Sequence, residues 1–175
     1  MPSSENSTDD RAAREFVISR VFDAPRALVF QAWIDPRQMT HWWGPRDFTN
    51  PICELDARPG GAYRIVMRSP DGHEYPIRGV FLEVVASERL VMTMDVSGHP
   101  PEWHDLVNPN RARREDDAVG QMVQTVTFED LRGKTKLTVR TLFNSVAIRD
   151  AMVALGMTEG WSQSLDRLSD LLARA

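Results

Sequence analysis

From residue 50 to residue 143 the chain runs in short segments of alternating apolar and polar residues, and turn residues close most of them. This pattern constrains the fold more than any other feature. Tyr63, Ile65 and Met67 alternate with Arg64, Val66 and Arg68, which is the signature of a half-buried strand. Pro70-Asp71-Gly72 is a hairpin turn signal, and residues 74–86 return as a strand with a bulge expected at Gly79. Ser87-Glu88-Arg89 leads into a strand over 90–96. Met122, Gln124, Val126 and Phe128 share one strand face, Leu131-Arg132-Gly133 turns, and Leu137, Val139, Thr141 and Phe143 share the next. A further strand is expected over 50–57, followed by a turn or bulge at Arg58-Pro59-Gly60-Gly61. Most of these connections are too short to hold a crossover helix, so the pairing must be antiparallel.

The flanks are different. Phe16, Ile18 and Phe22 form a strand whose alternation fails at Arg20. Asp23-Ala24-Pro25 reads as a helix start with Asp23 as the cap, and Leu28, Val29, Ala32 and Trp33 follow at helical spacing. Asp35-Pro36 begins a second short helix that stops at Gly44-Pro45. At the other end, residues 146–155 form one helical segment, Gly156 interrupts it, and Thr158 is expected to cap a restart. Trp161, Leu165, Leu168 and Leu172 then make a single apolar stripe.

The expected fold is α+β, in the order β-α-α-β6-α, with a curved antiparallel sheet wrapped around a long C-terminal helix. Residues 1–14 are Ser-, Asn- and Asp-rich and are expected to be a disordered leader, neither a signal peptide nor an anchor. Residues 15–175 are expected to form one domain. Residues 97–118 interrupt the strand rhythm with Pro100, Pro101, Pro109 and a run of mixed charge, so a long loop insertion is expected there.

Charge and cysteine usage narrow the function. The net charge is -4, which argues against nucleic acid as a partner, since phosphate binding needs a basic face. No apolar run approaches the roughly 20 residues needed to cross a bilayer. The one cysteine, Cys53, excludes an intrachain disulfide and fits a cytoplasmic protein. It lies in a strand-like run without a nearby histidine, so it reads as a structural thiol.

Several short motifs carry a family resemblance. They are Arg20-Val21-Phe22-Asp23-Ala24-Pro25, Trp42-Trp43-Gly44-Pro45, Arg58-Pro59-Gly60-Gly61, Glu88-Arg89-Leu90-Val91, and Gly160-Trp161 followed by Ser164-Leu165-Asp166-Arg167-Leu168. In this order and spacing, the chain from Glu15 to Leu172 resembles the START-like (SRPBCC) superfamily with its helix-grip fold. Within it, the chain resembles the branch named after the activator of the heat-shock protein ATPase. The 97–118 insertion departs from the tight hairpin usual in that family. The resemblance implies a fold and leaves function open, because the superfamily includes lipid carriers, polyketide cyclases, hormone receptors, resistance proteins and cochaperone domains.

A curved sheet and a straight helix meet well at their ends and poorly in the middle, where the space is filled by large side chains or left as a pocket. Tyr63, Ile65, Met67, Met92, Met94, Met122 and Gln124 are expected to face the helix from the strands. Trp33, Trp42, Trp43, Trp161 and Leu165 are the expected helical wall. Each of these could equally be plain core. The methionines favour an adaptable surface, and a lone amide such as Gln124 on an apolar face needs a partner. Trp103 is expected to fold over the pocket mouth as a lid, with His104 and Asp105 at its rim.

Three functions follow. The first is binding of a small hydrophobic or aromatic molecule in an internal cavity, for carriage, sequestration or sensing. The second is cyclase or dehydratase chemistry on polyketide-like substrates in the same cavity, with His104, Glu54 or Arg140 as acid–base groups. The third is a protein-interaction or cochaperone-like stress module, which needs an exposed apolar or charged surface. The His99–Asp105 segment holds two histidines and two acids, but at a spacing that matches no metal motif, so no metal and no cofactor is expected. Free sheet edges leave homodimerisation open.

Overall fold

The structure, a computed structural model, describes residues 4–109 and 120–174. Seven antiparallel strands form one sheet in the order β1-β7-β6-β5-β4-β3-β2. They are β1 (Glu15–Phe22), β2 (Thr49–Leu55), β3 (Ala62–Arg68), β4 (Glu74–Val85), β5 (Arg89–Asp95), β6 (Gln121–Leu131) and β7 (Lys134–Leu142). Consecutive strands pair from β2 to β7, and β1 closes the other edge against β7. Helices α2 (Arg26–Ile34) and α3 (Pro36–Trp42) follow β1, and α5 (Val146–Ala154) and α6 (Met157–Ala173) follow β7. The curled sheet grips α6, whose Leu165 and Leu168 are fully buried. This is the helix-grip arrangement.

Four details differ from the sequence reading. Residues 1–14, expected to be disordered, include helix α1 (Ser4–Ala13). Ion pairs one turn apart, Arg14 with Asp10 and Arg11 with Glu15, support it, and the Arg14 guanidinium donates to the Phe143 carbonyl at 3.0 Å. The 97–118 segment contains helix α4 (Pro101–Val107), because Pro101 suits a first helical turn and His104 and Val107 bury one face. Its residues 110–118 lie outside the described residues. The bulge in β4 lies between Phe81 and Glu83 rather than at Gly79. Gly79 serves close approach instead: a Cβ there would stand 2.0 Å from the Thr93 carbonyl and 2.7 Å from the Tyr63 ring. Helix caps also differ. Asp23 does not cap α2, whose N-cap is Pro25, and α6 starts from Gly156 at φ 100° without help from the Thr158 side chain.

The break in alternation at Arg20 has a structural cause. Phe16, Ile18, Arg20 and Phe22 all point inward. Arg20 reaches α6, where its guanidinium pairs with Asp166 and donates to the Ser162 carbonyl at 3.2 Å.

The Trp42-Trp43-Gly44-Pro45 corner joins α3 to the sheet and to α6. Asp35 caps α3 by accepting from the Arg37 amide at 2.9 Å. The chain then reverses at Gly44, at φ 89°. The Asn50 side-chain amide donates to the carbonyls of Thr40 and Trp43 at 3.1 and 2.9 Å. From the other side the Arg167 guanidinium of α6 donates to the carbonyls of Trp43, Gly44 and Pro45 at 3.0–3.1 Å and of His41 at 2.9 Å. The Ser164 hydroxyl adds a bond to the Trp42 carbonyl at 2.9 Å. Asn50, Ser164 and Arg167 thus satisfy the carbonyls of Thr40, Trp42 and His41 that the end of α3 leaves open, and Arg167 also takes the three carbonyls that follow. Arg167→Met keeps the apolar stem and removes every donor. It is expected to lower unfolding stability in urea by about 2–4 kcal/mol, with Arg167→Lys intermediate; a loss within about 0.5 kcal/mol would show that the clamp is not structural.

Candidate functional site

The tryptophans divide into two groups. Trp33 and Trp42 are fully buried and pack at 4.8 Å between ring centroids. The Trp42 indole N–H donates to the Ala32 carbonyl at 3.0 Å. Trp43 and Trp161 pack against that pair, Trp161 stacked on Trp33 at 6.1 Å and Trp43 edge-on to Trp161 at 5.5 Å. Their other faces line a cavity of about 350 Å³ between the sheet and the α5–α6 junction. The corner is therefore core on one side and cavity wall on the other.

Sheet register sets the cavity floor. Phe81, Met92, Gln124, Thr141 and Phe16 stand opposite one another along one rung, and Met94 faces Met122 on a neighbouring rung. Of the residues singled out from sequence, Trp43, Met67, Met94, Trp103, Met122, Gln124 and Trp161 line the cavity. Trp33, Trp42, Tyr63, Ile65, Met92 and Leu165 belong to the core beside it. The Tyr63 hydroxyl is spent on the Thr93 carbonyl at 2.5 Å, and burial raises its pKa. His104 is buried on α4, where a ring nitrogen donates to the Ser97 carbonyl at 3.2 Å, and it does not reach the lining.

The lining also includes Phe48, Tyr75, Ile77, Val96, His99 and Thr141 from the sheet side, and Met152, Leu155, Met157 and Ser164 from the helices. Tyr75 and Ile77 were within reach of sequence reasoning, since they alternate on β4 opposite Met67 and Ile65. Thr141 shares its face with Leu137 and Val139 and meets Gln124 once β6 and β7 are paired. His99 carried no periodic signal, because it sits in the turn after β5.

Trp103 lines the cavity from α4. Its indole packs on His99 at 4.5 Å, and His99 packs on Tyr75 at 5.3 Å, which in turn meets Phe48 at 6.1 Å. The more open rim is formed by Leu155, which is 46% exposed, with half-buried Met152 and Pro45. Glu54 and Arg140, considered as acid–base groups, do not line the cavity, and Arg140 pairs with Glu15 at 3.6 Å. Burial pushes the Cys53 thiol up to about 11, which keeps it protonated at neutral pH. No group of three or more potential metal ligands occurs among the described residues. No helix among them is long and apolar enough to cross a membrane.

No Asp, Glu, Lys or Arg lines the cavity among the described residues. Its ionisable side chains are His99 and Tyr75. Neither ring nitrogen of His99 has a partner among the described residues. Burial, reinforced by His104 and opposed by Asp95, pushes its pKa from 6.5 down to about 3, so the imidazole is neutral at pH 7.

The sequence matches the family model described as Activator of Hsp90 ATPase homolog 1-like protein over residues 23–173. A protein from Chromobacterium violaceum of known crystal structure is 28% identical, with a TM-score of 0.71 covering 91% of this chain and 96% of that one. One from Nitrosomonas europaea is 25% identical, with a TM-score of 0.75 covering 93% and 96%. The AHSA1 protein from Silicibacter pomeroyi, at 21% identity and a TM-score of 0.69 over 91% and 97%, shares the fold. No curated protein matches the chain.

The buried imidazole makes stability depend on pH in a defined direction. The unfolded chain takes up the His99 proton near pH 6.5, whereas the folded chain resists it to about pH 3. The stabilisation is complete above pH 6.5, declines by up to about 1.4 kcal/mol per pH unit below it, and is gone below about pH 3. Urea midpoints are expected to fall between pH 6.5 and pH 5, before most carboxylates titrate, and His99→Phe is expected to flatten that slope. An equally steep decline in His99→Phe would assign it to other groups.

Proposed function

The chain belongs to the Activator of Hsp90 ATPase homolog 1-like family, and on that premise we propose that it binds a small apolar or aromatic molecule between sheet and C-terminal helix. Carriage, sequestration and sensing all use such a site. The observation that carries the reading is a cavity of about 350 Å³ with no charged side chain among its described lining residues. That volume falls within the roughly 300–1,000 Å³ of small-molecule pockets. At protein-like packing density it suits a guest of roughly 15 non-hydrogen atoms.

The wall chemistry supports this reading. Trp43, Trp161 and Tyr75 offer rigid ring surfaces, and Met67, Met94, Met122, Met152 and Met157 offer flexible, polarizable ones. Burying about 200 Å² of apolar ligand surface contributes about 5 kcal/mol before ordering costs, which points to weak affinities, in the range of about 0.1–1 mM. In this reading α4 acts as a lid through Trp103. A cytoplasmic location belongs to the same proposal and rests on the lone thiol of Cys53.

Neutral N-phenyl-1-naphthylamine tests the site directly. It is expected to gain fluorescence and quench the indoles when mixed with the protein. Met94→Trp combined with Met157→Trp places bulk in the cavity and is expected to weaken binding at least about tenfold, with far-ultraviolet circular dichroism unchanged. Trp103→Ala is expected to weaken it about threefold to tenfold. Equal binding by the filled variant would locate the probe elsewhere and remove the support for this reading.

A further inference from the structure

Two side chains in the cavity floor have no hydrogen-bond partner among the described residues. Gln124 of β6 and Thr141 of β7 stand directly opposite each other in the strand pair. They are 1% and 0% exposed. Neither the nitrogen nor the oxygen of the Gln124 amide, nor the Thr141 hydroxyl, is bonded. Buried polar groups are nearly always satisfied, and an unsatisfied one keeps its full desolvation cost. The rung is otherwise apolar, with Phe81 and Met92 on one side and Phe16 on the other. Directly opposed residues on one face hold their Cβ atoms about 4.5–5.5 Å apart. The amide and the hydroxyl can therefore reach the same ligand atom.

Extending the ligand-binding reading, on which it rests, we propose that the cavity selects an uncharged apolar molecule bearing one carbonyl or hydroxyl oxygen and takes it oxygen-first, between Gln124 and Thr141. A carbonyl oxygen accepts from the Gln124 amide N–H and from the Thr141 hydroxyl. A ligand hydroxyl donates to the Gln124 amide oxygen and accepts from Thr141. A carboxylate could accept the same bonds, but it would carry a charge into a lining that offers no cation among the described residues. The histidine in the lining, His99, is uncharged at neutral pH. Depth sets the orientation. Gln124 and Thr141 are at the closed end, whereas Leu155 and Met152 form the open rim, so the hydrocarbon end faces outward. This is the reverse of an amphiphile held with its head at the surface.

Three naphthalenes of nearly equal size isolate the oxygen: 2-acetylnaphthalene, 2-isopropenylnaphthalene and 2-naphthoate. Dissociation constants are measured by indole quenching at pH 7.5. The ketone is expected to bind about fivefold to tenfold more tightly than the alkene, and at least about tenfold more tightly than the carboxylate. Gln124→Leu with Thr141→Val removes the unpaired polar atoms, so it is expected to raise the Tm of the free protein and to erase the preference for the ketone over the alkene. An alkene or a carboxylate that binds the wild type as tightly as the ketone overturns the inference, as does a ketone preference that survives in the double variant. If the double variant does not fold, the wild-type ratios decide. Failure of all three while N-phenyl-1-naphthylamine binds overturns the inference alone; failure of every compound overturns the ligand-binding reading beneath it.

Discussion

A single guanidinium holds the architecture in register. Arg167 of α6 donates to the carbonyls of His41, in the last turn of α3, and of Trp43, Gly44 and Pro45 just after it, and those carbonyls belong to the corner that carries Trp42 and Trp43. A helix end packed against another helix leaves its last carbonyls without intrahelical partners, and few side chains offer enough donors to satisfy several acceptors together. Asn50 and Ser164 bond the same corner from β2 and α6. The position of the indoles, and hence the shape of the space beside them, is fixed by hydrogen bonds rather than by hydrophobic contact alone.

That placement explains why space remains inside the fold. Trp33 and Trp42 fill the end of the sheet–helix gap next to α2 and α3, with their rings in mutual contact. The opposite end faces the α5–α6 junction, where Gly156 at φ 100° interrupts the helical run and α6 restarts without a side-chain cap. The cavity lies there, walled by Trp43, Trp161 and the methionines. The flexible thioethers of the lining let such a space change shape at low cost. The two polar groups at its floor and the imidazole of His99, unpartnered among the described residues, interrupt the apolar pattern.

Much of the fold was legible in the sequence, because strand alternation and the Trp161–Leu172 stripe are periodic signals that survive in a single chain. The exceptions have local causes. Arg20 broke the alternation of β1 because it pairs with Asp166 across the grip, a contact distant in sequence. Helix α4 was hidden in a stretch of prolines and charges, since a two-turn helix carries too little periodicity to register. The site was legible only in part. Alternation assigned Met67, Met94, Met122 and Gln124 to the inner face, but it could not say which inward residues meet the helix and which meet empty space. Tyr63, Ile65 and Met92 share that face and are core. The distinction depends on the corner geometry and on register, neither of which is a property of one segment. His99 was weighed only as a metal ligand for the same reason: its burial against Tyr75 and Trp103 is entirely tertiary.

The central claim is that side chains leave the sheet–helix gap open beside the tryptophan corner. Crystals under pressurised xenon test it without any assumption about the ligand, because xenon occupies apolar voids and is visible by its scattering. The account predicts a xenon site between Met94, Met122 and Trp161 in the wild type. An interior with no xenon there, and with the methionines and indoles closed onto one another, would contradict it.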